Sequence, residues 1–138
     1  MEEFRSIINY PNYSISNLGN VKNNNKNKIL VNYLHKTGYF IIGLFKDGKR
    51  QMFSIHRLVA EAFLDKFDKQ FYIDHIDRNK TNNNIKNLRM VTATESVLNR
   101  GIWGKSKYKG TYFSKTRGDW RSQITVDKKC ISLGYFKT

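Results

Sequence analysis

The sequence predicts a small modular α+β protein, and three observations support that prediction. Short apolar and aromatic runs separated by Asn, Gly and Lys fill residues 1–55, which indicates a β-rich module. A short helix, a strand, a long loop, a second strand and a second helix are predicted within residues 56–100, and an alternating segment at 101–138 predicts a three-stranded antiparallel sheet. Modules this small bury little surface, so each is expected to pack against another or against a partner.

The first module is predicted to consist of short strands joined by turns. YSIS (13–16), YFIIGLF (39–45) and RQMFSI (50–55) are rich in β-branched and aromatic residues. The Asn-rich stretch NVKNNNKNK (20–28) predicts a turn, and the Asp-Gly pair between the last two strands predicts a tight hairpin.

The spacing of apolar residues changes after Ile55 and predicts a short helix. One face of this helix is apolar and is expected to join the core: Leu58, Val59, Ala62 and Phe63. His56 and Arg57 lie at the start of the helix. We interpret His56 as a packing residue rather than a catalytic base, and Arg57 as a phosphate contact.

The central segment carries the signals of a strand, a loop, a strand and a helix. Phe71–Ile76 is apolar and aromatic, and the Asn-rich loop that follows it returns through Leu88–Val91. Thr92 stands three residues before Glu95, which is the spacing of a capping box. We therefore expect the second helix to begin directly after Thr92.

The C-terminal segment is predicted to be a basic linker, marked by Gly101 and Gly104, followed by a sheet. KCISLGYF alternates so that Ile131, Leu133 and Tyr135 are expected on one face. DWRSQITV alternates in the same way, with Trp120, Ser122, Ile124 and Val126 on one face and Arg121, Gln123 and Thr125 on the other. One face of this sheet is therefore polar and basic.

The charge of the chain points to a polyanionic partner. Twenty-five Lys and Arg against 11 Asp and Glu give a net charge of +14. More than half of the acids lie in residues 57–100, between two basic flanks. Such a distribution is typical of a metal site held against phosphates.

The remaining composition excludes several classes of protein. A single cysteine, Cys130, excludes internal disulfides and a Cys-rich zinc knuckle. The acidic N-terminus lacks the apolar core of a signal peptide, and no apolar run reaches the length of a membrane span. We expect an intracellular protein of the cytoplasm or nucleoid, not a secreted one, with no membrane partner.

An acid and a histidine stand side by side at the end of the central strand, and this pairing suits phosphodiester hydrolysis. His75 is the candidate general base, because an imidazole titrates near neutral pH. Asp74 is the candidate ligand for a divalent cation. Neighbouring residues of an ideal strand face opposite sides, so both can serve one phosphate only if the strand twists or ends there.

Two further groups are expected to complete this site. Residues three or four apart share a helix face, so Ser96 and Asn99 of the second helix are both candidates to close the other side of the metal. Asn87, in the returning segment, is expected to hydrogen-bond the backbone near His75 and so orient the imidazole.

These residues carry a resemblance to a known family. DHIDRNKTNNNIKNLRMVT (74–92) resembles the core of HNH endonucleases, in particular phage and intron-encoded homing endonucleases of the nicking type. NYPNYSISNLGNV (9–21) resembles the nuclease-associated module that often precedes this core, and SIHRLVAEAFL (54–64) resembles the segment between the two. The ordered combination covers roughly residues 5–100, which makes it far more specific than any single motif.

The resemblance implies a ββα-metal fold that nicks double-stranded DNA with Mg²⁺ or Mn²⁺. It implies that His75 is the general base, that Asp74 binds the metal together with the residue at position 96, and that Asn87 is structural. The chain is expected to act inside a host cell as a monomer or weak dimer. A phage or virus is one expected source of its gene. The basic residues of this region are predicted to contact DNA: Arg57, Arg78, Lys80 and Arg89.

One position departs from the family pattern and suggests a rival function. Ser96 stands where such nucleases usually carry an Asn or His metal ligand, and its short neutral side chain is a poorer ligand. The rival is a DNA-binding regulator that keeps the nuclease scaffold with weakened or absent turnover. Asn99 remains the alternative ligand.

The last 33 residues resemble the plant Apetala-type DNA-binding domain, which lays a three-stranded sheet in the major groove. The resemblance implies that Arg117, Arg121 and Gln123 approach bases. It also implies three phosphate contacts, Lys107, Lys109 and Lys115. The family's packing helix has no counterpart in this sequence, and an ordinary solvated sheet is the alternative.

Overall fold

The computed structural model describes residues 1–99, 110–126 and 129–136, except for the side chains of Val97 and Leu98. The fold is α+β, as predicted, with mostly strands, one main helix and separate sheets. The chain divides after Asn99 into two compact units. No helix in the described part of the chain is long and apolar enough to cross a membrane.

The N-terminal half of the first unit holds two antiparallel sheets. The first has four strands in sequential order: β1 (Phe4–Ile7), β2 (Tyr10–Ser16), β3 (Val21–Asn23) and β4 (Lys28–Ile29). The second has three: β5 (Tyr33–Leu34), β6 (Phe40–Lys46) and β7 (Lys49–Ser54). The predicted Asp-Gly hairpin joins β6 to β7, and both of its central residues have positive φ.

Helix α1 (Ile55–Phe63) follows β7 without a loop and closes one core with both sheets. The predicted apolar face is confirmed, because Leu58 and Val59 are buried while Ala62 and Phe63 pack partly buried against them. The fully buried core members come from β2, β3, β6 and the helix: Ile15, Val21, Leu44, Ile55 and Val59. Leu88, further along the chain, joins the same cluster.

The rest of the first unit has the predicted order of elements. Strand β8 (Tyr72–His75) pairs antiparallel with β9 (Leu88–Val91), and a short 3-10 helix at Ile85–Asn87 leads into β9. Helix α2 (Ala93–Asn99) follows. Leu88 belongs to the core cluster, which ties this segment to the N-terminal sheets, and Val91 at the end of β9 is also buried.

The second unit contains the predicted three-stranded antiparallel sheet. Its strands are β10 (Thr111–Ser114), β11 (Asp119–Val126) and β12 (Lys129–Phe136).

The predicted alternation along β12 is wrong at one point. The register shifts between Ser122 and Gln123, which pair with Gly134 and Ser132 and leave Leu133 as an extra residue. This bulge places Tyr135 opposite Arg121, whereas Ile131 lies opposite Ile124 on the other face.

Candidate active site

The candidate site lies at the end of β8, beneath helix α2. Asp74 pairs across the sheet with Arg89, and His75, the last residue of β8, pairs with the buried Leu88. The chain turns immediately afterwards, since the carbonyl of His75 accepts a hydrogen bond from the N–H of Arg78 at 3.0 Å. The two candidate catalytic side chains therefore leave the backbone where regular strand geometry ends.

Asp74 is held by one cation and one amide. Arg89 donates to its Oδ2 from two guanidinium nitrogens, at 3.1 and 3.3 Å. Nδ2 of Asn99 donates to the same oxygen at 2.7 Å and to the carbonyl of His75 at 3.0 Å. Within the described residues, Asn99 rather than Ser96 is the α2 side chain that hydrogen-bonds Asp74.

The capping box at the start of α2 is confirmed and fixes how the helix enters the site. The N–H of Thr92 donates to Oε2 of Glu95 at 2.7 Å, and the N–H of Glu95 donates to Oγ1 of Thr92 at 3.3 Å. The bond from the Thr92 backbone holds the pKa of Glu95 below its usual value. The start of the helix is therefore anchored to the residue that follows β9.

The imidazole of His75 faces a different set of neighbours from those of Asp74. It is 4 % exposed, and its Nε2 lies 3.3 Å from Oδ1 of Asn83. The ring centroid lies 5.4 Å from that of His56 and 5.9 Å from that of Tyr39. The structure thus brings Asp74 and Asn99 together, and separately His75 and Asn83, with the two groups joined through the backbone of β8.

His56 is buried and lies next to His75. Its burial agrees with its interpretation as a packing residue. Its ring contacts Tyr39 at a centroid distance of 4.8 Å, and its Nδ1 is buried with no hydrogen-bond partner in the described part of the chain. Burial lowers the pKa of His56 to about 4, with smaller contributions from the charges of His75 and Arg57. His56 is therefore neutral at physiological pH.

The Asn-rich loop is organised around the carboxylate of Asp77. Its Oδ1 accepts from the N–H of Asn79 at 2.7 Å and from Nδ2 of Asn87 at 2.9 Å, and its Oδ2 accepts from Nδ2 of Asn82 at 2.7 Å. These hydrogen bonds, that of Asn82 first, hold the pKa of Asp77 below its usual value. The run of Asn residues is thus a hydrogen-bonded turn that leads back to β9.

Asn87 binds the backbone next to the histidine but not the imidazole itself. Its Oδ1 accepts from the N–H of Asp77 at 3.0 Å, and its carbonyl accepts from the N–H of Ile76 at 2.9 Å. The side chain that contacts the imidazole is Asn83, which sequence reasoning treated as part of the turn. Nothing in a run of three Asn residues distinguishes the buried one.

The four basic residues predicted to contact DNA in this unit are exposed, and each has a protein partner. Arg57 donates to the carbonyl of Lys69 at 3.3 Å, and Nε of Arg78 donates to Oδ1 of Asn99 at 3.4 Å. Lys80 donates to the carbonyl of Thr37 at 2.9 Å and lies over the ring of Tyr39. Arg89 holds Asp74, as described above.

The predicted DNA contacts of the second unit are of three kinds. Lys107 and Lys109 lie outside the described residues. Lys115, Arg117 and Gln123 are exposed. Arg121 is engaged within the sheet, since Nε donates to Oδ1 of Asp119 at 3.2 Å and the guanidinium lies 5.0 Å from the ring centroid of Tyr135.

The donors around Asp74 suit a hard divalent cation. The structure supplies a carboxylate and the carboxamide of Asn99, and Ser96 lies one turn earlier on the same helix with a hydroxyl. All are oxygen donors of the type that Mg²⁺ and Mn²⁺ prefer. Within the described ranges no three His, Cys, Asp or Glu residues form a metal-binding group. The set fits a cation that takes its remaining ligands from water or a bound anion.

Two family models match most of the first unit. Residues 2–45 match the NUMOD4 motif, and residues 53–98 match an HNH endonuclease. These matches do not support the predicted Apetala-type segment.

Two of the similar proteins come from bacteriophages. The chain is 40 % identical over 109 residues to DNA endonuclease I-HmuI of Bacillus phage SP01, covering 76 % of this chain and 63 % of that protein. It is 36 % identical over 97 residues to H-N-H endonuclease F-TflII of Escherichia phage T5, covering 69 % and 50 %. A solved structure of DNA binding and cleavage by the HNH homing endonuclease I-HmuI superposes with a TM-score of 0.67 at 42 % identity, covering 70 % of this chain and 56 % of that one. The chain thus spans between half and two thirds of the length of these proteins.

Proposed function

We propose that the chain is a metal-dependent DNA endonuclease of the homing type that nicks one strand at a time, because residues 53–98 match the HNH endonuclease family. The observation that carries this proposal is that Asn99 binds both the carboxylate of Asp74 and the backbone carbonyl of His75 where β8 ends. One such site per chain favours single-strand nicking by a monomer, and a double-strand break then needs two protomers or two events.

In this proposal His75 accepts a proton from the attacking water. Its Nε2 can donate to Oδ1 of Asn83, and in that tautomer the lone pair of Nδ1 is free to act as the base. Burial of the ring between His56 and Asn83 limits its rotation, so the basic nitrogen keeps one direction. Asn87 holds the turn that follows and acts structurally.

Asp74 and Asn99 are the residues that would hold the cation, with Ser96 one turn earlier on the same helix. A bound divalent cation supplies charge stabilisation at the phosphate and at the leaving oxygen. Asn99 presents Nδ2 to Asp74 here, and rotation of its amide group would present Oδ1 instead.

Substrate binding in this proposal rests on the excess positive charge. Arg89 pairs with Asp74, and Arg78 reaches Asn99, so a phosphate brought to Asp74 meets two guanidinium groups. Arg57 and Lys80 extend the basic surface along the same unit. In the second unit, Lys115 and Arg117 would contact phosphates, and Gln123 has an exposed amide available to base edges.

Nick mapping on DNA tests the proposal directly. A pooled supercoiled plasmid library is incubated with the full chain and Mg²⁺ or Mn²⁺, with EDTA, and with His75→Ala, and nicks are mapped at single-nucleotide resolution. We expect metal-dependent nicks at recurrent positions, reduced by on the order of 10²- to 10⁴-fold in His75→Ala. Nicks that persist at the same rate in EDTA or in His75→Ala would refute the assignment.

A DNA-binding regulator with lost turnover is the rival, and the position of Ser96 is the observation that favours it. Both functions predict binding that weakens steeply with salt, so affinity does not separate them. Ser96→Asn does, with Asn99→Ala as its partner variant. A chain that is inert until Ser96→Asn is introduced is a regulator, whereas an active chain that loses nicking in Asn99→Ala is a nuclease that uses Asn99.

A further inference from the structure

The turn between β2 and β3 lies against the loop that carries Asn83, although the two are distant in sequence. Gly19 in this turn has φ +93°, and a Cβ atom added to it would lie 2.8 Å from Cβ of Asn83 and 3.2 Å from Cγ2 of Ile55. The carbonyl of Asn17 accepts a hydrogen bond from the N–H of Ile85 at 2.8 Å. The N-terminal sheet therefore contacts the nuclease loop at a place where no side chain fits.

Asn83 links this contact to the imidazole. It is 5 % exposed, its Oδ1 lies 3.3 Å from Nε2 of His75, and its Nδ2 donates to the carbonyl of Thr81 at 3.3 Å. The bond to Thr81 sets which end of the amide faces the ring, because only the nitrogen can donate to a carbonyl. The orientation of Asn83 in turn selects the tautomer of His75.

We propose that Gly19, acting through Asn83, is a positioning residue for the His75 imidazole. The close approach of the turn presses Asn83 to the ring, so that Oδ1 holds the Nε2–H and Nδ1 is left to accept a proton. The inference rests on the proposed function, in which His75 is the general base. It gives the N-terminal sheet a part in the chemistry besides any contact with DNA.

Gly48 offers a matched control for Gly19. It too has positive φ, +72°, but a Cβ added there meets nothing within 4 Å. Gly19→Ala and Gly48→Ala therefore both introduce backbone strain, and only the first also displaces Asn83. A difference between the two variants, beyond a common loss of stability, reports the close contacts that a Cβ at position 19 makes with Asn83 and Ile55, and variants of Asn83 separate the two.

Kinetics of the full chain provide the first test. At saturating DNA and metal we expect Gly19→Ala to nick on the order of 10- to 100-fold more slowly, with unchanged DNA affinity, because small misplacements of a base are costly. Gly48→Ala should stay within about twofold of the unsubstituted chain. Equal rates for the two variants would overturn the proposal, as would a loss in Gly19→Ala that appears only in DNA affinity.

The ring N–H of His75 provides a second test that needs neither DNA nor metal. In ¹H–¹⁵N spectra of the full chain we expect the Nε2–H signal to shift in Gly19→Ala and to be lost in Asn83→Ala. It should be retained in Gly48→Ala and in Asn83→Asp, which keeps an acceptor oxygen. If the unsubstituted chain cleaves no DNA, the proposed function is wrong, but these spectra still show whether Gly19 and Asn83 position the His75 ring.

The Asn83 variants also cover the case in which Gly19→Ala does not fold. They introduce no positive-φ strain, so retention of the signal in Asn83→Asp together with its loss in Asn83→Ala supports the link to the ring. Adding Asn83→Gly to Gly19→Ala removes the clashing Cβ, and recovery of the fold in that double variant confirms the contact. An unchanged ring signal in Asn83→Ala refutes the proposal.

Discussion

The two units of the chain differ in where their apolar side chains lie. In residues 1–99, Ile15, Leu44 and Ile55 are fully buried in one core, whereas no residue of 110–126 or 129–136 with a described side chain is buried. In the second unit large apolar groups stand exposed on the sheet, Leu133 and Phe136 among them. The first unit can therefore hold side chains in fixed positions, whereas the second unit is ordered chiefly by backbone hydrogen bonds between its strands.

This difference separates the two tasks that the proposed cleavage of DNA requires. In the proposed function a general base and a metal ligand must keep fixed directions, and the first unit offers this through burial of His75 and the bonds to Asp74. Contact with a phosphate backbone tolerates mobile side chains, and exposed Lys115 and Arg117 suit it. We expect catalysis to depend on the first unit and affinity to be shared.

The largest expected difference between the two units is in cooperative unfolding when each is produced separately. A chain of residues 1–99 is expected to unfold cooperatively, because every buried residue described lies within it. A peptide of residues 100–138 is expected to show no cooperative transition, since a three-stranded sheet without a covered face gains too little from burial. Circular dichroism during thermal denaturation measures both. A cooperative transition in the isolated peptide would remove the contrast between the units.

Matched truncations in the two units sharpen the comparison. Leu44→Ala in β6 is expected to lower the free energy of unfolding by about 2–5 kcal/mol, because it leaves a cavity in a closed core. Leu133→Ala removes the same atoms from a side chain that is 58 % exposed and should cost less than about 0.5 kcal/mol. Urea denaturation of the full chain gives both values. Similar losses would show that the exposed face of β12 is covered in solution.

Acidification should weaken the first unit through His56. Its pKa falls from 6.5 in the unfolded chain to about 4 in the folded one, so between these values the unfolded chain binds the extra proton. Stability is therefore full above pH 6.5 and declines as pH falls toward 4, by up to about 3 kcal/mol from this residue.

Replacing the histidine tests this decline. His56→Leu should flatten the profile of unfolding free energy between pH 7 and 4, while His35→Gln, at an exposed position, should leave it unchanged. All three histidines lie in the first unit, so the second contributes no such titration. An unaltered acid profile in His56→Leu would mean that another group carries it.

Local signals in the sequence predicted the elements, and contacts between distant segments escaped prediction. The Thr92–Glu95 capping box and the helix after Ile55 depend on residues within one turn of each other, and both were predicted. The burial of Asn83 depends on Gly19, 64 positions earlier, and no spacing rule reveals it.

The candidate site and the sheet show the same limit. Ser96 and Asn99 lie on the same side of a helix, so helical spacing predicted both as candidate metal ligands. The hydrogen bond from Asn99 to Asp74 depends on where α2 lies relative to β8, which spacing does not reveal. The bulge at Leu133 adds one residue to β12 next to Gly134, which has a positive φ of 135°. An isolated Gly inside a strand is a signal of a bulge, and strict alternation ignored it and misplaced Tyr135.

The smallest expected effects concern Arg117 and Arg121 in the second unit, which should differ in whether they affect DNA affinity or stability. Arg117, exposed in the turn between β10 and β11, is expected to affect DNA binding alone. Arg117→Ala should weaken binding to all sequences alike and reduce the slope of log affinity against log salt by about one.

Arg121 is expected to act on stability instead, because Asp119 and Tyr135 hold its guanidinium within the sheet. The bond to Asp119 also raises the pKa of Arg121, so it stays charged throughout. Arg121→Ala should lower the stability of the sheet only slightly, as is usual for an ion pair near the surface. Fluorescence anisotropy with labelled duplexes at several salt concentrations, beside urea denaturation, separates the two roles. If Arg121→Ala instead relaxes preference at a single base pair, the guanidinium leaves Asp119 on binding, and the second unit reads sequence as well as charge.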